Sequence, residues 1–288
     1  MIDFPVNILF IMFRSFGDIV MSTSIIRALK EKYPKSTIVY LTSSNCVDLL
    51  VGNPDIHAIY SERDYIEPMN FDIVFSPFMT TQSRSEWWQY HRNMMDLYAD
   101  GCGVELKNKQ CYLYPADINH LKIQHSIPDK YILIQTKTRD VTKDYTRWDE
   151  LIALINERLG IPVIQIGGKD DPIAKGIALN LCNKISFRES ANLIKDAHAT
   201  ITLDSAVAHI AGAVGGKRII LYGATNFELC GSGNKFNNAA INLAMQDTFI
   251  LEPEKRLPEC SSGACFKAQC PIGSCINSIE PKDIVKYI

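Results

Sequence analysis

Short apolar runs alternate with longer amphipathic stretches along most of this chain, a rhythm that predicts strands alternating with helices. Residues 6–13 (VNILFIMF) read as a buried strand and 14–18 (RSFGD) as a tight turn. A helix is expected over 19–33, with Ile19, Val20, Ile25, Ile26 and Leu29 on one side. Further strands are predicted at 37–42, 57–60 and 71–76, with helices near 45–51 and over 84–100. Residues 103–129, which include Pro115 and Pro128, lose periodicity and read as a connection. A second alternation follows: strand 131–136, helix 147–160, strand 162–168, helices 172–182 and 188–196, strand 199–203, helix 205–214 and strand 217–223. Beyond about residue 224 the chain turns glycine- and asparagine-rich and irregular, then ends in a cysteine-bearing loop and a short helix from Pro281. The economical architecture is α/β, with two doubly wound, Rossmann-like lobes facing a cleft, residues 1–126 and 127–288.

Composition narrows the function classes. The 288 residues are 47% hydrophobic and 22% charged, ordinary for a soluble globular protein. Net charge is −2; residues 1–126 carry 11 basic and 14 acidic side chains, and the remainder 19 and 18. Neither half has the basic excess of a general nucleic-acid binder. The apolar N-terminus has no basic region and no small-residue cleavage site, and no run approaches the ~18–20 apolar residues of a membrane span. Nine cysteines without a leader fit a reducing cytoplasm.

Three segments fall at the carboxyl ends of predicted strands, where open α/β sheets bind ligands. Strand 199–203 runs into Asp204, Ser205 and Ala206 at the start of a helix that carries His209 about one turn later. A helix N-terminus there offers free N–H groups to a phosphate; equally, Asp204 and Ser205 would cap the helix and His209 pack on the sheet. Ser15, Gly17 and Asp18 follow the first strand. Gly17 permits close backbone approach, and Asp18 is either a base for an acceptor hydroxyl or a first-turn acid. After strand 131–136 come Lys137, Thr138, Arg139, Lys143 and Arg147, which suit an anionic leaving group such as a diphosphate or form a solvated loop. Arg84, Trp87, Trp88 and Arg92 mix aromatics with cations, either as a surface that stacks sugars or bases or as helix and core. Cys260, Cys265, Cys270 and Cys275 recur every five residues. Four thiols in one loop read as a tetrahedral zinc or iron site, although the spacing is not that of common zinc motifs.

The ordered set resembles the ADP-heptose:lipopolysaccharide heptosyltransferases, family nine of the glycosyltransferases. It is carried by ILFIMFRSFGDIVMSTSIIRALKEKYP, VGNPDI, TKTRDVTKDYTRWDELI, IGGKDDPIAK, LDSAVAHIAGAVGGKRIILYGAT and CFKAQCPIGSC. The resemblance implies a GT-B fold and an inverting sugar transfer without a catalytic cofactor. It implies a nucleotide-sugar donor in the second lobe, ADP-heptose or alternatively a UDP-sugar, and an acceptor in the first. It assigns Asp18 as general base, Thr138 as a donor contact, Lys143 or Arg147 as the phosphate cation, and Asp204, Ser205 and His209 as the donor motif. Asp170 or Asp171 lies near the ribose by the same resemblance, and relatives with a four-cysteine iron site raise the expectation for the loop. Ala206 replaces the family's usual glycine, Met12 a basic residue and Ser24 a proline, and the first lobe is short. The acceptor is therefore open among a glycan, a protein side chain and a hydroxymethylated nucleobase, and the oligomer is open too. A sugar-nucleotide binder without transfer activity is a rival from another class. A dinucleotide oxidoreductase lacks its G-x-G-x-x-G fingerprint.

Overall fold

Two all-parallel sheets form in the computed structural model, which describes residues 4–13, 15–67, 70–77, 92–225, 227–231, 247–253 and 275–288. The first sheet holds β1 (Val6–Ile11), β2 (Ser36–Thr42), β3 (Ala58–Ser61) and β4 (Ile73–Phe75) in the order β3-β2-β1-β4. The second holds β5 (Ile132–Gln135), β6 (Val163–Ile166), β7 (Leu179–Asn180), β8 (Ala199–Leu203), β9 (Arg218–Leu221) and β10 (Thr248–Leu251) in the order β10-β9-β8-β5-β6-β7. Strand order reverses between β1 and β4 and between β8 and β5, so each sheet has a switch point beyond the carboxyl ends of those strands. Ile132 pairs with Ala199 across β5 and β8, and Ile8 with Ile73 across β1 and β4.

The described α-helices are α1 (Phe16–Lys32), α2 (Met94–Gly101), α3 (Asn119–His125), α4 (Trp148–Arg158), α5 (Phe187–Asp196), α6 (Ala206–Val214), α7 (Phe227–Cys230) and α8 (Pro281–Val285). Local chemistry sets their ends. Ser186 and Glu189 form a reciprocal capping box on α5, and α6 stops at Gly215, which turns left-handed at φ 77°. Along β5, Ile132 and Ile134 face a core with Leu151, Ile152 and Ile155 of α4, while Leu133 faces the core shared with α6. Covering both faces is what a parallel sheet of continuous apolar strands requires.

The predicted helix 172–182 is not one. Gly176 sits at φ 82°, and the Gln165 side chain takes over the backbone: its amide nitrogen donates to the Pro172 carbonyl (2.9 Å) and its oxygen accepts from Ala174 N (2.9 Å). The segment stays open and then adds β7 beside β6. The predicted helix near 45–51 is a 3-10 turn, Ser44–Leu49. Of predicted helix 84–100, the described part is helical from Met94, where Asn93 caps Met95 N. β10 falls in the region expected to be irregular.

The lobes meet through side chains as well as backbone. α1 packs on α6, and Ile19 and Ile25 of the first lobe share one apolar cluster with Ile210 and Ala211 of the second. Phe16 and Phe187 rings lie 4.6 Å apart. Arg188 N donates to Asp48 (3.0 Å) and its Nε to the Tyr114 carbonyl (2.8 Å). Asn93 Nδ2 donates to the carbonyls of Glu228 (2.9 Å) and Gly231 (3.0 Å).

Candidate active site

The first strand ends at Ile11, and the chain turns into α1 so that Ser15, Gly17 and Asp18 stand at the β1 switch point. Asp18 is buried and accepts from Tyr98 Oη at 2.9 Å. Gly17 is a close-approach position: a Cβ there would lie 3.0 Å from His209 Cδ2 and 3.8 Å from Ala206 Cα. The turn after β1 therefore rests directly on the first residues of α6, and a side chain at position 17 would press on the His209 ring.

On the opposite wall, β8 delivers Asp204 and Ser205. Ser205 is extended (φ −149°) and caps α6, its Oγ accepting from Val207 N at 3.2 Å. The same hydroxyl donates to Gln135 Oε1 (2.9 Å), which also accepts from Thr202 Oγ1 (3.0 Å). Gln135, which the sequence reading left without a role, thus ties β5 to β8 across their switch point. Asp204 is buried, accepts from the Thr225 hydroxyl and pairs with Lys143 Nζ at 2.6 Å. Lys143 is brought there by the 3-10 turn Val141–Lys143, which Asp140 caps through Thr142 N (3.0 Å).

Electrostatics follow from this packing. Burial alone would raise the Asp204 carboxyl, but the Lys143 ammonium and the Thr225 hydroxyl hold it below its ordinary value. Burial opposes the Lys143 charge, yet Asp204 and the neighbouring Asp140 keep its pKa above the usual value. His209 is buried, and its Nδ1 has no hydrogen-bond partner among the described residues. Burial lowers its pKa to about 4; Asp204 works the other way, and Arg218 and Lys143 add to the depression. The imidazole beside Gly17 is therefore neutral at pH 7.

Behind α6 lies a second buried cation. Arg218 on β9 sends Nη1 to the Ala208 carbonyl (2.6 Å) and Nε to Thr248 Oγ1 (2.8 Å). It passes Gly212 so closely that a Cβ there would sit 2.4 Å from Nη1. Burial lowers its pKa to about 10, so it remains charged at neutral pH.

The other candidates take varied positions. Thr138 Oγ1 donates to the Asp140 carbonyl (2.7 Å), which folds the loop onto itself, and Lys137 pairs with Asp144. Arg147 is bracketed by Glu150 (2.7 Å) and Glu280 (2.8 Å), joining the start of α4 to the start of α8; of the two cations proposed for phosphate, Lys143 is the one seated against Asp204. Asp171 accepts from Gly168 N (3.0 Å) in the turn after β6, and Asp170 is exposed. Arg92 pairs with Asp100 at the surface (2.7 Å). Arg84, Trp87, Trp88, Cys260, Cys265 and Cys270 lie outside the described residues; Cys275 opens a 3-10 turn, Cys275–Ser278, and is partly exposed. Among the described residues no group of three or more His, Cys, Asp or Glu is placed to hold a metal, and no helix is long and apolar enough to cross a membrane.

Cys230 closes α7 and is buried. Burial raises its thiol well above the ordinary range. The charges of Asp204 and of Asp18 push it further, and Lys143 opposes them. One side chain thus feels both the first-lobe acid and the second-lobe ion pair.

Residues 73–259 match glycosyltransferase family 9 (heptosyltransferase). A lipopolysaccharide heptosyltransferase 3 of Escherichia coli is 24% identical over 74% of this chain and 82% of its own. Among solved structures, the E. coli ADP-heptose lps heptosyltransferase II superposes with a TM-score of 0.71 at 17% identity, covering 98% of this chain and 97% of that one. The dodecameric iron-containing heptosyltransferase TibC, in complex with ADP-D-beta-D-heptose, gives 0.73 at 14% identity, covering 98% and 74%. The chain belongs to glycosyltransferase family 9 and is a glycosyltransferase of the two-lobed GT-B fold.

Proposed function

We propose that this enzyme transfers heptose from ADP-heptose to a sugar hydroxyl of an acceptor glycan with inversion. The acceptor oxygen attacks the anomeric carbon as the bond to the diphosphate oxygen breaks, and Asp18 takes the hydroxyl proton. ADP leaves with the electron pair. Its charge is met by Lys143 and by the backbone N–H groups at the start of α6. Ser205 shapes that N-terminus through its cap, and Ala206 borders it where most of the family has glycine. Thr138 and Asp171 stand at the rims of the neighbouring strand ends and serve the donor's ribose side. The chemistry needs no cofactor, since cations of the chain offset the leaving charge.

The observation that supports this reading best is the close approach of the Gly17–Asp18 turn to Ala206 and His209 of α6, next to the strand end that holds Asp204 against Lys143. The donor is argued from the relatives, one of which is solved with ADP-D-beta-D-heptose. ADP release from ADP-heptose, measured with heptose-deficient lipopolysaccharide core, a protein acceptor and hydroxymethylated DNA in separate reactions, tests donor and acceptor together. Asp18→Asn is expected to lower the rate by about 10²–10⁴-fold; a full rate would remove Asp18 from the role of base. For Cys260, Cys265, Cys270 and Cys275 we propose a structural thiolate site for zinc or iron. Metal-free protein with four freely titrating thiols would overturn it.

A further inference from the structure

Tyr98 has no part in any motif, yet it is a fully buried side chain that reaches the acid of the first switch point. Its hydroxyl donates to Asp18 Oδ1 at 2.9 Å, from a helix that is otherwise packed into the core through Met95 and Ala99. The N-terminus of that helix is fastened to the other lobe. Asn93 Oδ1 caps α2 by accepting from Met95 N (3.0 Å), while its Nδ2 donates to the Glu228 and Gly231 carbonyls. Those carbonyls belong to α7 and the residue after it, just beyond Thr225, whose hydroxyl holds Asp204. Hydrogen bonds thus tie the donor-side carboxylate to Thr225, α7 to Asn93, and α2 to the acceptor-side carboxylate.

We propose that Tyr98 is the positioning residue for the Asp18 base, and that Asn93 couples it to the donor lobe, so that the carboxylate is oriented for proton transfer when the lobes are together. The proposal rests on the reading of Asp18 as base. A donor hydrogen bond to a carboxylate fixes its rotation and favours its charged form. Proton transfer in turn depends on placing the acceptor oxygen within hydrogen-bond reach of the substrate proton. Among the described residues, Tyr40 on β2, already hydrogen-bonded to Ser22 (2.7 Å), and Cys230 on α7 also feel the Asp18 charge, and His209 on α6 lies beside Gly17. None of these donates to Asp18 Oδ1.

Two variants test the proposal. Tyr98→Phe removes one hydroxyl and keeps the packing; Asn93→Ser keeps a capping oxygen for α2 and removes both donors to the second lobe. The first readout is ADP release from ADP-heptose with heptose-deficient lipopolysaccharide core, as a pH profile. The second is the titration of the Asp18 carboxyl carbon by NMR, assigned by comparison with Asp18→Asn, which needs no acceptor. Tyr98→Phe is expected to lower kcat by about 10-fold with KM for the donor unchanged, and to move both the acidic limb of kcat/KM and the Asp18 titration up by about one pH unit. Asn93→Ser is expected to lower kcat several-fold with the same KM. An unmoved Asp18 titration and an unmoved limb in Tyr98→Phe would overturn the role of Tyr98, and wild-type kcat in Asn93→Ser would overturn the coupling. If Asp18→Asn keeps full activity, the base reading fails; the NMR titration then still decides whether Tyr98 sets the carboxyl.

Discussion

Gly212→Ala is a substitution whose sign is counter to helix propensity. In the middle of α6, alanine is favoured over glycine by about 1 kcal/mol. Here the added Cβ would fall 2.4 Å from Arg218 Nη1 and 2.9 Å from Cζ, distances that a folded chain does not sustain. The guanidinium has nowhere to swing, because it is fully buried and held at both ends by the Ala208 carbonyl and Thr248 Oγ1. Each hydrogen bond from a charged group contributes about 1.5–3 kcal/mol. Loss of one to two of them, less the propensity gain, leaves Gly212→Ala less stable by about 0.5–5 kcal/mol. Urea unfolding of four proteins (wild type, Gly212→Ala, Arg218→Met and the double variant) isolates the cause as a coupling energy. In the Arg218→Met background the alanine is expected to cost nothing or to stabilise by up to about 1 kcal/mol. An equal cost in both backgrounds, or a Gly212→Ala protein as stable as wild type, would refute the reasoning.

Lys143→Met, measured without nucleotide, is expected to destabilise by about 2–4 kcal/mol because it leaves Asp204 buried and unpaired; adding Asp204→Asn should recover part of the loss, and additive costs would show the pair to be uncoupled. ADP should raise the melting temperature of wild type and not of Lys143→Met, and an equal rise would place the phosphates elsewhere. His209 has a folded pKa of about 4 against an unfolded value near 6.5, so it is neutral in both states above pH 6.5, and below that only the unfolded chain takes up the proton. Stability should therefore fall by about 3 kcal/mol between pH 6.5 and 4. His209→Gln should flatten that stretch of the curve, and an unchanged slope would rule out the histidine as its source. Asp204 acts at lower pH: its folded pKa is depressed, so its contribution is present above the unfolded value and is lost as pH falls below it.

The alternation of apolar runs located most of the described strands and helices to within a few residues, because continuous apolar strands and amphipathic helices are properties of neighbouring positions. The helix expected at 172–182 shows where that logic ends. Ile173, Ala174, Ile177 and Ala178 imitate a helical spacing, but Gln165, a residue of the preceding strand, takes the Pro172 carbonyl that a helix would have used, and Gly176 turns left-handed. The candidate site divides the same way. Ser15, Asp18, Asp204 and Ser205 stand next to strand ends and were legible from position alone. Gln135, Thr225 and Tyr98 were not, since each acts on a partner distant along the chain: Tyr98 on Asp18 across 80 residues and Gln135 on Ser205 across 70. A buried polar residue gives no sign in a sequence of which distant group will satisfy it. Arg147 was legible as a cation but not as one already committed to Glu150 and Glu280.

The apolar cluster that joins α1 to α6 bears on how such enzymes are recombined. A chimera exchanging the second lobe between relatives would set Ile19 and Ile25 of one parent against foreign counterparts of Ile210 and Ala211. It would also bring the Gly17 turn onto an unfamiliar imidazole. The unit that can be traded without repacking is smaller than a lobe: the loop carrying Lys143, with the strand ends it touches. Redesign of donor choice in this scaffold therefore has its freedom at the loops and its constraint in the helix pair beneath them.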